Sequence, residues 1–256
     1  MNILFIGDIY GRTGRNLLKD NLIKIIDEYK IDFTIANGEN SAGGVGITKE
    51  IYEDLTSYGI DVVTLGNHAW AQKKIFDFID YADRLVRPAN YPTGTPGKPY
   101  VIVEVKGRKI AVINMCGRVF MECLECPFRK IDSILKEIEG KADIKIMDFH
   151  AEATSEKIAM GWYLDGRITA VLGTHTHVQT ADERILPKGT GYITDVGMTG
   201  PINSVLGVKT DIIIKKFLTS LPGRFEAAED SGQINGVILE INEKNFVNDI
   251  KRLKVI

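Results

Sequence analysis

The side chains best suited to chemistry in this sequence are few and regularly placed. Ile168 to Gln179 reads ITAVLGTHTHVQ: a β-branched apolar run reaches Gly173, and His175 and His177 follow at alternating positions. In an extended backbone both imidazoles project from the same side, and neutral imidazole is the commonest protein ligand for transition metals. The chain has only two further histidines, His68 and His150, and each of the four stands just past the end of a run that reads as a buried strand. Solvated or core histidines have no reason to sort in this way. Carboxylates and amides occupy equivalent places: Asp8 after Gly7, Glu39 and Asn40 after Gly38, Asn67 after Gly66. Taken singly, each Asp or Asn reads equally as a helix N-cap or Asx-turn; the recurrence is what points to a metal site. A nitrogen and oxygen donor set without thiolate suits manganese, iron or zinc and is poor for iron–sulfur clusters or Cu(I).

The elements that must position these groups follow from the periodicity. Asn2 to Ile6, Asp32 to Ala36 and Asp61 to Leu65 are short apolar strand candidates, each followed by glycine, a polar side chain and a helical pattern. The helices are predicted from Leu18 through Tyr29, from Thr48 to Tyr58, and from Gln72 to Ile79. Successive strand-to-helix units build a parallel sheet whose carboxyl ends share one edge, where open α/β sheets bind ligands. The glycines of Gly11 to Arg15 have neither Walker A nor dinucleotide-fingerprint spacing; a helix N-terminus near Thr13 could favour an anion or be an ordinary turn. After a proline- and glycine-marked connection from Arg84 to Pro99, Tyr100 to Val105 and Lys109 to Asn114 read as a hairpin opening a second sheet. Cys116 to Arg129 reads as a loop bordering the site, with Arg118 and Phe120 placed either to touch substrate or to pack on the surface. Asp143 to Phe149 is a strand delivering His150, and Ile131 to Ile138, Thr154 to Leu164 and Lys209 to Leu218 read as helices. Gly191 to Asp195, Ile234 to Ile241 and Phe246 to Val255 complete the strands.

Composition excludes several function classes. With 256 residues, 44% of them hydrophobic, the chain can bury a sizeable core, and it is expected to form a single domain over 1–256. A formal net charge of −2 gives no basic field for stable duplex nucleic acid, while leaving a small nucleotide open. No apolar run reaches membrane-spanning length and no signal-peptide core precedes Gly7-Asp8, so no membrane partner and a cytoplasmic location are expected. Cys123-x-x-Cys126 has no second pair to complete a zinc site, and reduced thiols are expected. A symmetric homodimer is the default for a soluble oligomer.

In order along the chain, Gly7-Asp8, Gly66-Asn67-His68, a lone His150 after a strand, and Gly173-Thr174-His175-Thr176-His177 resemble the motif set of calcineurin-like metallophosphoesterases. Gly38-Glu39-Asn40 and Asp8-Ile9-Tyr10, where most members have Gly-Asp and Asp-x-His, resemble the YmdB-like branch. The similarity extends over nearly the whole chain, including Thr194-Asp195-Val196-Gly197-Met198-Thr199-Gly200-Pro201. The resemblance implies a four-layer α/β/β/α sandwich with two divalent or trivalent metal ions at the strand ends, iron or manganese foremost and zinc or magnesium allowed. It implies that Glu39 bridges the ions, that Asp8, Asn40 and His177 complete one position, and that Asn67, His150 and His175 complete the other. Tyr10, standing where a histidine ligand is usual, leaves metal identity open. The implied activity is hydrolysis of a 2′,3′- or 3′,5′-cyclic nucleotide phosphodiester by a metal-bridging hydroxide, with His68 as general acid. Asp148 and Thr174 are candidates to orient the imidazoles. The residues alone leave two other readings open: a phosphomonoesterase or protein phosphatase, and a weakly catalytic nucleotide-sensing regulator.

Overall fold

Strand alternation sorts the apolar side chains of this chain into separate packing layers. The computed structural model describes residues 1–229 and 231–256. Its strands in the first half are β1 (Asn2–Ile6), β2 (Asp8–Ile9), β3 (Phe33–Asn37), β4 (Val62–Thr64), β5 (Leu85–Val86), β6 (Tyr100–Val105) and β7 (Arg108–Cys116). They continue with β8 (Ile144–His150), β9 (Ala170–Thr174), β10 (Arg184–Ile185), β11 (Gly191–Ile193), β12 (Met198–Pro201), β13 (Gly232–Ile241) and β14 (Val247–Val255). The helices are α1 (Gly11–Tyr29), α2 (Lys49–Ser57), α3 (Pro127–Glu137), α4 (Thr154–Leu164) and α5 (Thr210–Thr219).

One sheet runs in the order β2, β12, β13, β1, β3, β4, β5, with β14 also on β13; the other runs β10, β11, β9, β8, β7, β6. Along β1, Ile3 and Phe5 face the second sheet while Leu4 and Ile6 face the helices. The inner cluster joins Ile3, Phe5, Phe33, Ile35 and Val62 to Ile110, Val112, Ile144, Ile146, Ala170 and Leu172 across the two sheets. The outer face of the first sheet is covered by Leu18, Leu22 and Ile25 of α1 and by Ile51 and Leu55 of α2. The outer face of the second is covered by Ile131 and Ile134 of α3 and by Met160 and Leu164 of α4. The order of layers is therefore α/β/β/α, as the resemblance implies.

This packing brings two sets of strand ends together. β1, β3 and β4 are parallel neighbours, as are β7, β8 and β9, so their carboxyl ends share an edge. By the same alternation Asn37, Thr64, Asp148 and Thr174 point into the space between the sheets. There they form a buried polar joint: Asp148 Oδ2 accepts from Thr64 Oγ1 at 2.5 Å and Asn37 Nδ2 at 3.0 Å. Burying a carboxylate is tolerable only with its lone pairs engaged, and this joint locks the register of the sheets directly beneath the strand ends.

Several boundaries differ from expectation. α1 starts at Gly11 rather than Leu18, so Gly11 and Gly14 lie in its first turn: a Cβ on Gly14 would lie 2.3 Å from the Thr199 carbonyl. Its first amide, Gly11 N, donates to the Asn40 carbonyl at 2.9 Å, which ties the helix start to the Glu39-Asn40 segment. The helix predicted over Gln72 to Ile79 is a 3-10 turn, Lys73–Asp77, followed by successive turns through Phe78 and Ala82 that lead into β5. α3 begins at Pro127 rather than Ile131, with proline at the first helical position, where its missing N–H costs nothing. All three cysteines are unpaired. Among the described residues no helix is long and apolar enough to cross a membrane.

Candidate metal centre

β1 and β2 bring Asp8 to the shared edge, the turn after β3 brings Glu39 and Asn40, the turn after β4 brings Asn67 and His68, β8 ends in His150, and His175 and His177 follow β9. All eight groups expected from the sequence lie in one cluster. Glu39 is at its middle: Oε1 lies 3.0 Å from His150 Nε2, 3.3 Å from Asn40 Nδ2 and 3.4 Å from His68 Nδ1, and Oε2 accepts the His68 N–H at 2.9 Å. On one side His150 Nε2 lies 2.9 Å from Asn67 Oδ1 and 3.0 Å from His175 Nδ1. On the other, His177 Nε2 lies 3.1 Å from the Asn40 amide and 3.9 Å from Asp8 Oδ2. Gly66 is required where the two sets meet, since a Cβ there would lie 2.4 Å from Glu39 Oε2 and from His150 Cδ2.

The outer nitrogen of each imidazole identifies the inner one. Thr174 Oγ1 donates to Asp148 Oδ1 at 2.6 Å, so it accepts from His150 Nδ1 at 2.9 Å, and Nε2 of His150 is left facing the centre. His177 Nδ1 donates to the Leu206 carbonyl at 3.1 Å, again leaving Nε2 inward. His175 is reversed: its Nε2 meets Glu152 at 3.1 Å and its Nδ1 faces His150. Such outer acceptors fix ring orientation and raise ligand basicity. Sequence reasoning points to Asp148 and Thr174 in this role. It does not reach Glu152, Leu206, Asn37 or Thr64, although Glu152 stands only two residues past His150 and could be marked by that spacing.

The expectation that His175 and His177 share one side of an extended strand is corrected. β9 ends at Thr174, and both histidines have left-handed backbone, φ 101° and 64°. The reason is that the His175 N–H leaves the sheet to donate to Asp8 Oδ2 at 3.0 Å. The rings consequently diverge, His175 toward His150 and His177 toward Asn40. Tyr10 sits behind His177, ring edge to ring face at 5.7 Å, within an apolar group of Met198, Val208 and Ile213. Arg118 and Phe120 both lie exposed on the turn after β7, with the Arg118 N–H held by Glu156 at 3.1 Å.

Charge is strongly redistributed in the cluster. Burial alone would lower His150, but Glu39 and Asp8 prevail and push it up to about 9. Burial and the neighbouring His150 hold His175 down to about 3, and burial lowers His177. Asp8 is raised well above the carboxylate range, first by burial and then by Glu39 and Asp195. Glu39 is held well below it, against burial, by His150 and His68.

These residues fit bound cations. Glu39, His150 and His175 each offer a ligand atom within 4.8 Å of the others. Asp8 Oδ1 is buried without a hydrogen-bond partner, and an orphaned buried carboxylate oxygen calls for an ion or water. At His150 Nε2, three further acceptors, Glu39 Oε1, Asn67 Oδ1 and His175 Nδ1, converge on one point; a proton or a metal ion must hold them together. Asn40 presents its oxygen to His68 Nδ1 at 2.8 Å and its nitrogen to His177. A half-turn of that amide puts the oxygen on the His177 side.

A sequence-family model described as YmdB-like protein matches residues 4–253. A Bacillus subtilis (strain 168) protein named 2′,3′-cyclic-nucleotide 2′-phosphodiesterase is 54% identical over 244 residues, covering 95% of this chain and 92% of its own. A solved structure of a hypothetical protein from Thermus thermophilus matches with a TM-score of 0.94 at 44% identity, covering 100% of this chain and 99% of the other. A Mycoplasma pneumoniae protein described as a novel phosphatase matches with a TM-score of 0.94 at 36% identity, covering 100% and 93%.

Proposed function

Because this chain belongs to the YmdB-like family and is a metal-dependent phosphoesterase, we propose that it hydrolyses 2′,3′-cyclic nucleotides, the substrate class in its Bacillus subtilis relative's name. In this reading two cations, iron or manganese, would be held by Glu39 between them, by Asp8, Asn40 and His177 at one position and by Asn67, His150 and His175 at the other. Bound there, the cations would offset the diester's negative charge and acidify the attacking water. A phosphorus–oxygen bond to water forms, the bond to O2′ breaks, and the departing alkoxide takes a proton, leaving a 3′-phosphate and a free 2′-hydroxyl.

His68 is the donor of that proton. Its Nδ1 faces the Asn40 side-chain amide at 2.8 Å, so Nε2 is the nitrogen left to protonate O2′. The ring is 39% exposed, unlike the fully buried His150, which suits a group that must meet substrate and recover a proton from solvent. The observation that carries the reading is the convergence of Glu39, Asn67 and His175 on His150 Nε2, beside an Asp8 oxygen buried without a hydrogen-bond partner.

The test is a panel of 2′,3′-cAMP, 3′,5′-cAMP, bis(p-nitrophenyl) phosphate and p-nitrophenyl phosphate with Mn²⁺. The expected product from 2′,3′-cAMP is 3′-AMP. Turnover confined to the monoester, or cyclic nucleotide recovered unchanged, rejects the proposal. His68→Ala is expected to keep its metal by elemental analysis and to lose about 10²–10⁴-fold in kcat; metal-free protein after this change rejects the general-acid role.

A further inference from the structure

The segment Thr194-Asp195-Val196-Gly197 has no place in the reaction as described, yet it is wedged between the two turns that carry candidate ligands. A Cβ on Gly173 would lie 1.8 Å from the Thr194 carbonyl, and a Cβ on Gly7 would lie 1.9 Å from the Gly197 carbonyl. Only glycines on both sides allow that approach. Backbone hydrogen bonds complete the wedge: Val196 N donates to Gly173 O at 2.8 Å, and Asp8 N donates to Gly197 O at 3.0 Å.

Asp195 is at its centre, fully buried. Its Oδ2 accepts from Lys157 Nζ at 2.7 Å, Thr176 N at 3.0 Å and Thr176 Oγ1 at 2.7 Å, and its Oδ1 accepts from Gly197 N at 2.8 Å. Three donors meet Oδ2 and one meets Oδ1, so both oxygens of Asp195 are held by the fold. Lys157, only 1% exposed, reaches it from α4. A buried ion pair is not needed for stability, since hydrophobic replacements often serve as well. An apolar pair at these positions could not grip Thr176.

Thr176 is the residue between His175 and His177, both of which hold the left-handed backbone that side chains disfavour. We propose that Asp195, charge-compensated by Lys157, is a positioning residue: it clamps Thr176 to send His175 and His177 to opposite sides of Glu39, and through Gly197 fixes Asp8 against the same turn. The inference rests on the metal-site reading above and extends it to a part of the chain that touches neither metal nor substrate.

The test uses the full chain stripped with a chelator and titrated with Mn²⁺, with binding followed by calorimetry and electron paramagnetic resonance. Thr176→Val keeps the residue's shape and its N–H but loses the hydroxyl donor. It is expected to weaken Mn²⁺ at the Asp8 and His177 position by about 10–100-fold, with far-UV circular dichroism unchanged and with Thr176→Ser restoring wild-type binding. Lys157→Met is the second variant and is expected to weaken the same position. Wild-type affinity at both positions in either folded variant overturns the clamp and leaves the metal reading intact. Wild-type protein that binds no Mn²⁺ overturns both.

Discussion

Replacing Thr174 by Val removes the one atom that connects His150 to the polar joint between the sheets. Thr174, Asp148 and His150 are all fully buried, and the threonine hydroxyl serves both neighbours, at 2.6 Å and 2.9 Å. Valine has nearly the same shape and opens no cavity, so the change isolates the hydrogen bonds. A buried polar group left without a partner costs about 1–3 kcal/mol. Asp148 keeps Thr64 and Asn37 on its other oxygen, so its share falls low in that range and that of His150 falls high, about 4 kcal/mol together. At this chain length each kcal/mol moves Tm by about 2–4 °C, so the expected fall is about 8–16 °C. Thr174→Ser retains the hydroxyl and gives up one methyl, about 1 kcal/mol, and should stay within about 4 °C of the natural protein. Scanning calorimetry of chelator-treated protein reads both. Mn²⁺ affinity of the valine variant should also drop about 10–100-fold, because an imidazole without its outer acceptor can turn or exchange tautomer. A valine variant that melts beside the serine variant and binds Mn²⁺ normally would refute the relay.

Two other perturbations probe the same geometry. Gly66→Ala drives a methyl to within 2.4 Å of Glu39 Oε2 and His150 Cδ2; separating those groups should lower Mn²⁺ affinity about 10–100-fold, and unchanged binding in equilibrium dialysis would count against their joint ligation. With His150 pushed up to about 9 before metal binds, and Asp8 also raised, uptake at pH 7 must expel at least one proton. Affinity should therefore rise as pH approaches 9 and fall about tenfold per unit below it. Calorimetry at pH 7 in buffers of different ionisation enthalpy should give different heats; identical heats would mean that His150 is already neutral.

Much of this arrangement is legible in the residues, for identifiable reasons. Asp8, Glu39, Asn67 and His150 follow short apolar runs buried on both faces, and parallel packing of such runs puts their ends on one edge whatever the details. The strands that the pattern misses, β2, β5, β10 and β12, span two to four residues each and lie beneath any periodic signal. The start of α1 is hidden because Gly11 and Gly14 are poor helix formers. Close approach to the distant Thr199 decides Gly14 and a left-handed φ of 57° decides Gly11, so tertiary context overrides propensity. The backbone at His175 and His177 escapes the pattern for the same kind of reason. Alternation predicts an extended strand, but the Asp8 carboxylate, 167 positions distant, takes the amide that would have continued it.

That last departure bears on how the cluster works. An extended His-x-His would aim both rings at one point and serve a single ion. A left-handed turn at each histidine separates the rings about Glu39, whose carboxylate meets His150 on one side and Asn40 on the other. The three outer acceptors then differ in kind: a buried hydroxyl backed by Asp148 for His150, a backbone carbonyl for His177, and for His175 the Glu152 carboxylate, about half exposed. His150 is thus pinned from within the sandwich, at the joint that also sets sheet register, while His175 is held from the rim. Loosening at the solvent edge leaves the Glu39 and His150 core in place, whereas any slip between the sheets reaches both groups of donors at once.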